Sequence, residues 1–490
     1  MRICPDYQRY DAQFTTVLFL VEERNLTIEK TVKMLKKING SQSKRLSVDE
    51  IPHVRIADAN FPAPFRSGLE YSSPARGTWN IVHTGMLIPE AHEIFVCAAG
   101  CLRGVVLTAA EMGTMDRFST VAVRENNLLD GDMEDLVIEG VTYIINKLPK
   151  RPPAVLVYTS CVHHFTGVDL DMIYSVLRSR FPDIDFTDCY MNPIMRKSGL
   201  TPDQLMRSRL YMLLHEREID PKAVAIIGND LPTDEDGDLM KVLKGAGLKV
   251  HEITSCKTYE EYQQMAESRV YVSYNPDAAP GGDMLSERLG GIHYALKFSF
   301  DYDEIDATFA GLADVLGIEP RSNEEITVLR AECERELEET RKLIGDTPVS
   351  IDYTYCPRPL GLAKLLLDHG IKVTRVYADG IPGGDKAAYE SLQKEHPDLM
   401  IYPTVHPGMR FARTANVEAG GEDEKVLAIG QKAAAFEETD HFVNVVEGGG
   451  MTGYEAVTRT CRLMREAFLE KKEMRELVQV KGLGCEVCIR

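Results

Sequence analysis

The chain has 490 residues, with 56 Lys and Arg against 75 Asp and Glu, and a net charge of −19. At about 150 residues per domain this length calls for about three domains. The charge excludes a nucleic-acid partner, whose phosphates such a surface repels, and no apolar run nears the roughly 18 residues of a membrane span.

The first ten residues carry no apolar stretch behind their charge, which argues against a secretory signal and for a cytoplasmic protein. Residues 1–60 are charged and irregular, with one amphipathic helix expected over 27–37, and are read as an arm that packs on a partner. From there the pattern alternates: a β-rich run, a polar or Gly/Pro break, then a helical period. The first block, 61–200, predicts strands at 93–96, 118–123, 154–159 and 184–187. Its helices fall at 102–112, 133–147 and 170–180. The second block, 201–320, predicts strands at 223–228, 248–253 and 269–274, with helices at 237–245, 259–265 and 284–289. A charged helix over 323–343 reads as a connector within 321–345. The third block, 346–475, predicts strands at 349–353, 372–377, 399–402 and 441–446. Its helices fall at 360–369, 386–396 and 454–470. A tail, 476–490, follows.

This alternation predicts an α/β protein: three Rossmann-like domains with parallel sheets flanked by helices, arranged around a central cavity. Ligands of such sheets bind beyond the carboxyl ends of the strands. Strand-to-helix loops therefore carry the chemistry.

The chain has 11 cysteines. In a long chain without a secretory signal they are buried thiols, catalytic thiols or metal ligands rather than a disulfide scaffold. Cys97 and Cys101 flank the end of the first strand, Cys161 follows the strand 154–159, and Cys189 follows 184–187. Taken singly, each is a small residue in a tight turn. Four thiols at one sheet edge, with helix N-termini nearby, suit the thiolate and anionic needs of an iron–sulfur cluster. Cys97, Cys101, Cys161 and Cys189 are thus the candidate metal and cofactor ligands. Cys256 and Cys356 each follow a strand of a later block and could line the central cavity. Cys485 and Cys488 form a terminal Cys-x-x-Cys whose role stays open among a redox pair, half of a shared metal site, or nothing; Cys4 is equally open.

These residues bring a family into view. Ala98-Ala99-Gly100-Cys101 resembles the Gly-Pro-x-Gly-Cys turn that carries the second cluster cysteine in the nitrogenase component 1 superfamily. That superfamily holds the molybdenum–iron protein α and β subunits, their cofactor-assembly scaffold homologues, and protochlorophyllide reductase catalytic subunits. Ser160-Cys161, followed by Thr166-Gly167-Val168-Asp169-Leu170, resembles the third cluster cysteine and its Ile-Gly-Asp-Asp. Thr187-Asp188-Cys189 falls near a β-subunit Thr-Pro-Ser. Ile226-Ile227-Gly228-Asn229-Asp230 resembles a second-domain Ile-Ile-Gly-Asp, and Tyr355-Cys356-Pro357-Arg358-Pro359 sits where α subunits carry Gly-Gly-Leu-Arg-Pro. Glu447 to Glu455 resembles a late loop ending His-Gly-Tyr-Asp. The likeness covers roughly residues 60 to 475.

There are departures. The first cluster cysteine should stand about 25 residues before Cys101, where the chain reads Tyr71-Ser72-Ser73-Pro74-Ala75; Cys97 could replace it. The Cys and His that hold the iron–molybdenum cofactor correspond to Val272-Ser273-Tyr274-Asn275-Pro276 and to Thr452. The chain is therefore not expected to be a true nitrogenase. The resemblance implies a cytoplasmic, anaerobic reductase subunit with an iron–sulfur cluster, 4Fe-4S or larger. It implies pairing with itself or a sister component 1 subunit in an α2β2-like assembly, and electrons from an ATP-dependent iron protein. A metallocluster-assembly scaffold and a catalytically silent partner subunit are the alternatives. Cys256, Cys356, His163, His164 and His406 are possible cavity groups, each taken singly more in keeping with a structural or solvated residue. No Gly-x-x-x-x-Gly-Lys-Ser/Thr motif occurs, so no ATP is expected on this chain. The Gly-rich pieces at 279–283 and 379–385 lack the dinucleotide fingerprint, so no NAD is expected either.

Overall fold

The computed structural model describes residues 51–71, 73–74, 81–191, 199–411 and 425–478. The expected helix at 27–37, Cys4, Cys485 and Cys488 lie outside the described residues.

Three sheets organise the chain. The first has four parallel strands in the order β3-β2-β4-β5, where β2 is His92–Ala98, β3 Phe118–Val123, β4 Ala154–Ser160 and β5 Asp185–Met191. The second is also four parallel strands, β7-β6-β8-β9, with β6 Asp220–Ile226, β7 Lys249–Glu252, β8 Ser268–Ser273 and β9 Ile292–Ala295. The third has six strands in the order β1-β12-β11-β10-β13-β14. Here β1 is Val54–Arg55, β10 Val349–Asp352, β11 Val373–Tyr377, β12 Met400–Tyr402, β13 Leu427–Ile429 and β14 Phe442–Val443.

Strand alternation sorts the side chains into layers. On β2, Ile94 and Val96 enter a core closed by the helices Met133–Lys147 and Leu170–Arg180. Phe95 and Cys97 point the other way, into a core shared with the second sheet through Met206, Tyr211, Tyr262 and Leu285. A third core joins the second sheet to the third, and a fourth lies between the third sheet and the helix Gln431–Glu437.

Two findings differ from the sequence reading. Val54 and Arg55, within the segment expected as a partner-binding arm, form a strand of this chain's own third sheet. β1 pairs antiparallel with β12, and Ile56 is fully buried. The helix Tyr302–Leu316 was not anticipated: its mixture of Asp, Gly and Thr weakens helical propensity, and burial of Ile305, Phe309 and Leu312 decides it. The connector is the helix Asn323–Ile344. It opens with a Ser322–Glu325 capping box and packs on the helix Gly453–Leu469, where Arg465 pairs with the buried Glu336 at 2.6 Å. No described helix is long and apolar enough to cross a membrane.

Candidate functional site: a thiol edge and an interdomain cavity

The first sheet ends in thiols. β2 is buried through Cys97, which has no exposed surface, and runs into the helix Ala99–Glu111. Cys101 lies in that helix's first turn and is exposed. No side chain caps Ala98, so the first-turn N–H groups have no side-chain acceptor at that position. β4 ends at Ser160, and Cys161 is the first residue of the helix Cys161–Thr166. His163 fixes that turn: its Nδ1 accepts from the Ser160 N–H at 3.1 Å. Cys161 is half-buried. Burial pushes the Cys97 thiol up to about 12, and the nearby thiols of Cys101 and Cys161 push it further in the same direction. Three thiols thus share one electrostatic neighbourhood, running from fully buried to solvent-facing.

Cys189 stands apart, which corrects the four-thiol edge read from sequence. The strand does not stop at 187; β5 continues to Met191, and Cys189 pairs with Tyr158 inside the sheet. Met191 pairs with Ser160, and Val96 pairs with Thr159. Cys189 therefore lies two strands from Cys97, about 10 Å across, and two residues back, about 7 Å along. It is fully enclosed beside Tyr158, whose ring stacks on Phe95 with centroids 4.0 Å apart. Burial, and then Asp188 and Glu93, hold its thiol well above the ordinary range.

The second feature is a cavity of about 430 Å³. It is lined by Asn229–Leu231 beyond β6, Tyr274–Asp277 beyond β8, residues from Tyr353 to Pro359 beyond β10, and Asp379 to Pro382 beyond β11. Asp203 and Arg207, from the helix Pro202–Arg209, complete it. Among the described residues no loop of the first sheet lines it, so it belongs to the second and third sheets rather than to all three. Arg207 is buried, forks onto Asp230 at 2.7 and 2.8 Å, and donates to the Gly228 carbonyl at 2.6 Å. Its Nε lies 2.9 Å from an Asp203 oxygen. Burial pushes the Asp203 carboxyl up to about 7, opposed by Arg207 and reinforced by Asp277 and Asp230. Asn229 donates to Leu231 O and Glu252 Oε1, while its own Oδ1 has no partner among the described residues. The glycine loop closes the roof: at Gly450, with φ +75°, an added Cβ would lie 2.2 Å from the Pro232 carbonyl.

A family profile described as nitrogenase component 1 type oxidoreductase matches residues 82–419. The chain belongs to this family. A solved structure titled "Nitrogenase Cp1 at pH 6.5" is 13% identical, with a TM-score of 0.58 over 83% of this chain and 94% of that one. A second, "Nitrogenase Cp1 at pH 5", is 12% identical, with a TM-score of 0.53 over 83% and 90%. At such identity the likeness is one of fold. No match was found among curated proteins.

The component 1 fold sorts the remaining expectations. Of the cavity candidates, only Cys356 lines the cavity; it is buried, and burial raises its thiol. Cys256 is half-buried and donates to the Glu252 carbonyl at 3.3 Å, outside the cavity lining. His163 caps a helix of the first sheet, and His406 is exposed, accepting from the Gly408 N–H at 3.0 Å. His164 is exposed as well. Thr452 is buried, and its Oγ1 accepts from the Leu239 N–H at 3.2 Å. At the segment lacking the first cluster cysteine, Ser73 and Pro74 contact the buried Lys432 next to the third sheet. Asp203 and Arg207 were missed. Their signal was present in Thr201-Pro202-Asp203-Gln204, a capping box with Pro at the first helical position.

Proposed function

We propose that this chain is a subunit of an iron–sulfur-dependent, nitrogenase-like reductase, distinct from nitrogenase itself. It would take low-potential electrons from a separate ATP-hydrolysing iron protein and deliver them to a substrate or second cofactor in the interdomain cavity. The observation that supports this most is the convergence of Cys97, Cys101 and Cys161 on one edge of the first sheet. The donor set suits a cluster. Thiols are the residues iron–sulfur clusters use, and iron replaces the protons that burial otherwise holds on them. These three residues would hold the cluster, Cys97 from the buried side and Cys101 from the solvent side. When bound there, a cluster supplies one-electron storage at low potential.

A fourth ligand would come from a second subunit, either a copy of this chain or a sister component 1 subunit, reaching the exposed Cys101. That exposure equally favours a second reading, an assembly scaffold, because an open face lets a cluster be handed on. In the cavity, Arg207 holds the Asp203 and Asp230 carboxylates in place, and burial raises the Asp203 carboxyl to about 7.

Iron and sulfide analysis with paramagnetic resonance on anaerobically purified protein tests the reading. The expected protein is brown, holds several irons per chain, and loses its chromophore in Cys101→Ala and in Cys161→Ala. Colourless, iron-free protein from an iron-replete preparation overturns it. Turnover with an iron protein separates the reductase from the scaffold.

A further inference from the structure

We infer that the interdomain cavity selects a neutral or cationic, N–H-bearing ring compound, and rejects carboxylates and phosphates of the same size. The inference rests on reading that cavity as the substrate site and names the substrate's chemical class.

Charge argues first. Asp203, Asp230, Asp277 and Asp379 line the cavity, and Arg207 is the only Lys or Arg among the described lining residues. That guanidinium is committed by its fork to Asp230. Asp379 accepts the N–H groups of Thr404 and Val405. Asp203 shares the same guanidinium, one of its oxygens lying 2.9 Å from the Arg207 Nε, and Asp277 has no cationic partner among the described residues. An anion entering this space meets uncompensated carboxylate in a partly desolvated setting, where repulsion is stronger than in water.

A second, independent observation gives the hydrogen-bond sense. Asn229 is 3% exposed and lines the cavity. Both Nδ2 protons are used internally, so its orientation is set by Leu231 O and Glu252 Oε1. The remaining group, Oδ1, is a buried acceptor without a donor. Such a group is costly unless a ligand or water supplies the missing N–H or O–H. Acceptors therefore dominate the polar part of the lining. The rest is flat and apolar: Tyr274, Phe298, Tyr353 and the rings of Pro276, Pro357 and Pro382. A planar ring carrying N–H groups satisfies both halves, and about 430 Å³ suits a molecule of modest size.

Titration calorimetry at pH 8 on the full-length protein, with benzamidine and benzoate as matched probes, tests this. Benzamidine is expected to bind and benzoate to bind at least about tenfold more weakly. The isosteric Asp203→Asn should lower benzamidine affinity about tenfold, as loss of a charge-assisted hydrogen bond does. Asn229→Leu should lower it too; if that variant unfolds, Asp203→Asn alone decides. Equal or tighter benzoate binding, no binding of either probe, or unchanged affinity in Asp203→Asn each overturns the proposal. Iron content measured on the same preparation keeps the two readings apart. Benzamidine selectivity in protein that never takes iron would sink the reductase alone, and benzoate preference in iron-loaded protein would sink the substrate class alone.

Discussion

The guanidinium of Arg207 grips both carboxylate oxygens of Asp230, at 2.7 and 2.8 Å, with the arginine side chain 1% exposed and the aspartate 5%. A buried pair of this kind contributes little net energy when intact, yet breaking it strands the surviving charge. Arg207→Met should destabilise the protein by about 3–5 kcal/mol in urea unfolding, and Arg207→Lys by less, because lysine keeps the charge but not the fork. A Met variant within about 1 kcal/mol of the parent would show that the pair is dispensable.

The thiols separate into two classes that iron analysis can tell apart. Cys189→Ala should retain the full iron content and the parent spectrum, since Cys189 lies inside β5 and away from the edge. Cys97→Ser should change the paramagnetic signal, because its thiol lies at the end of β2, on the side of the sheet where Cys101 and Cys161 open their helices. Loss of iron in Cys189→Ala with retention in Cys97→Ser would invert the assignment.

Asp203 makes stability depend on pH. Its folded carboxyl is raised from 3.8 to about 7, chiefly by burial, with Asp277 and Asp230 adding and Arg207 opposing. The proton is thus held more tightly in the folded state. That contribution is complete below about pH 4 and is lost as pH rises through about 7. The stability difference between Asp203→Asn and the parent should therefore move in the variant's favour between about pH 4 and 7, by an amount on the order of 2–4 kcal/mol, and level off above. A difference that stays flat across that range would place the carboxyl's pKa near its ordinary value.

Gly450 holds the third-sheet loop against the second sheet, its carbonyl accepting from the Asp234 N–H at 3.0 Å. Gly450→Ala introduces both a positive-φ side chain and a Cβ against the Pro232 carbonyl. A loss of about 2–4 kcal/mol is expected in thermal or urea unfolding. The same variant should weaken probe binding in the cavity, whose roof includes Gly450.

Much of this protein was legible from local pattern. The period-2 and period-3.6 runs located most of the strands and helices, because parallel strands buried on both faces read as continuous apolar stretches. Cys101 and Cys161 were legible as residues at strand-to-helix turns, and the family's motifs around them were recognisable. Short or weakly patterned elements were not, among them β1, β9, β13 and the helix Pro202–Arg209.

What the sequence alone determined is the α/β class, the family and the thiols worth watching, since these depend on residue order along the chain. Only the tertiary structure decided where each thiol lies along its strand. Strand register sends Cys97 to the edge shared with Cys101 and Cys161 and holds Cys189 two residues inside the sheet. Only the tertiary structure brought Asp203, Arg207, Asn229 and Asp230 into one cavity, joined by loops from more than 200 positions further along the chain such as Gly450. Propensity and periodicity act over a few residues, whereas which face meets which is decided by cores buried between whole sheets.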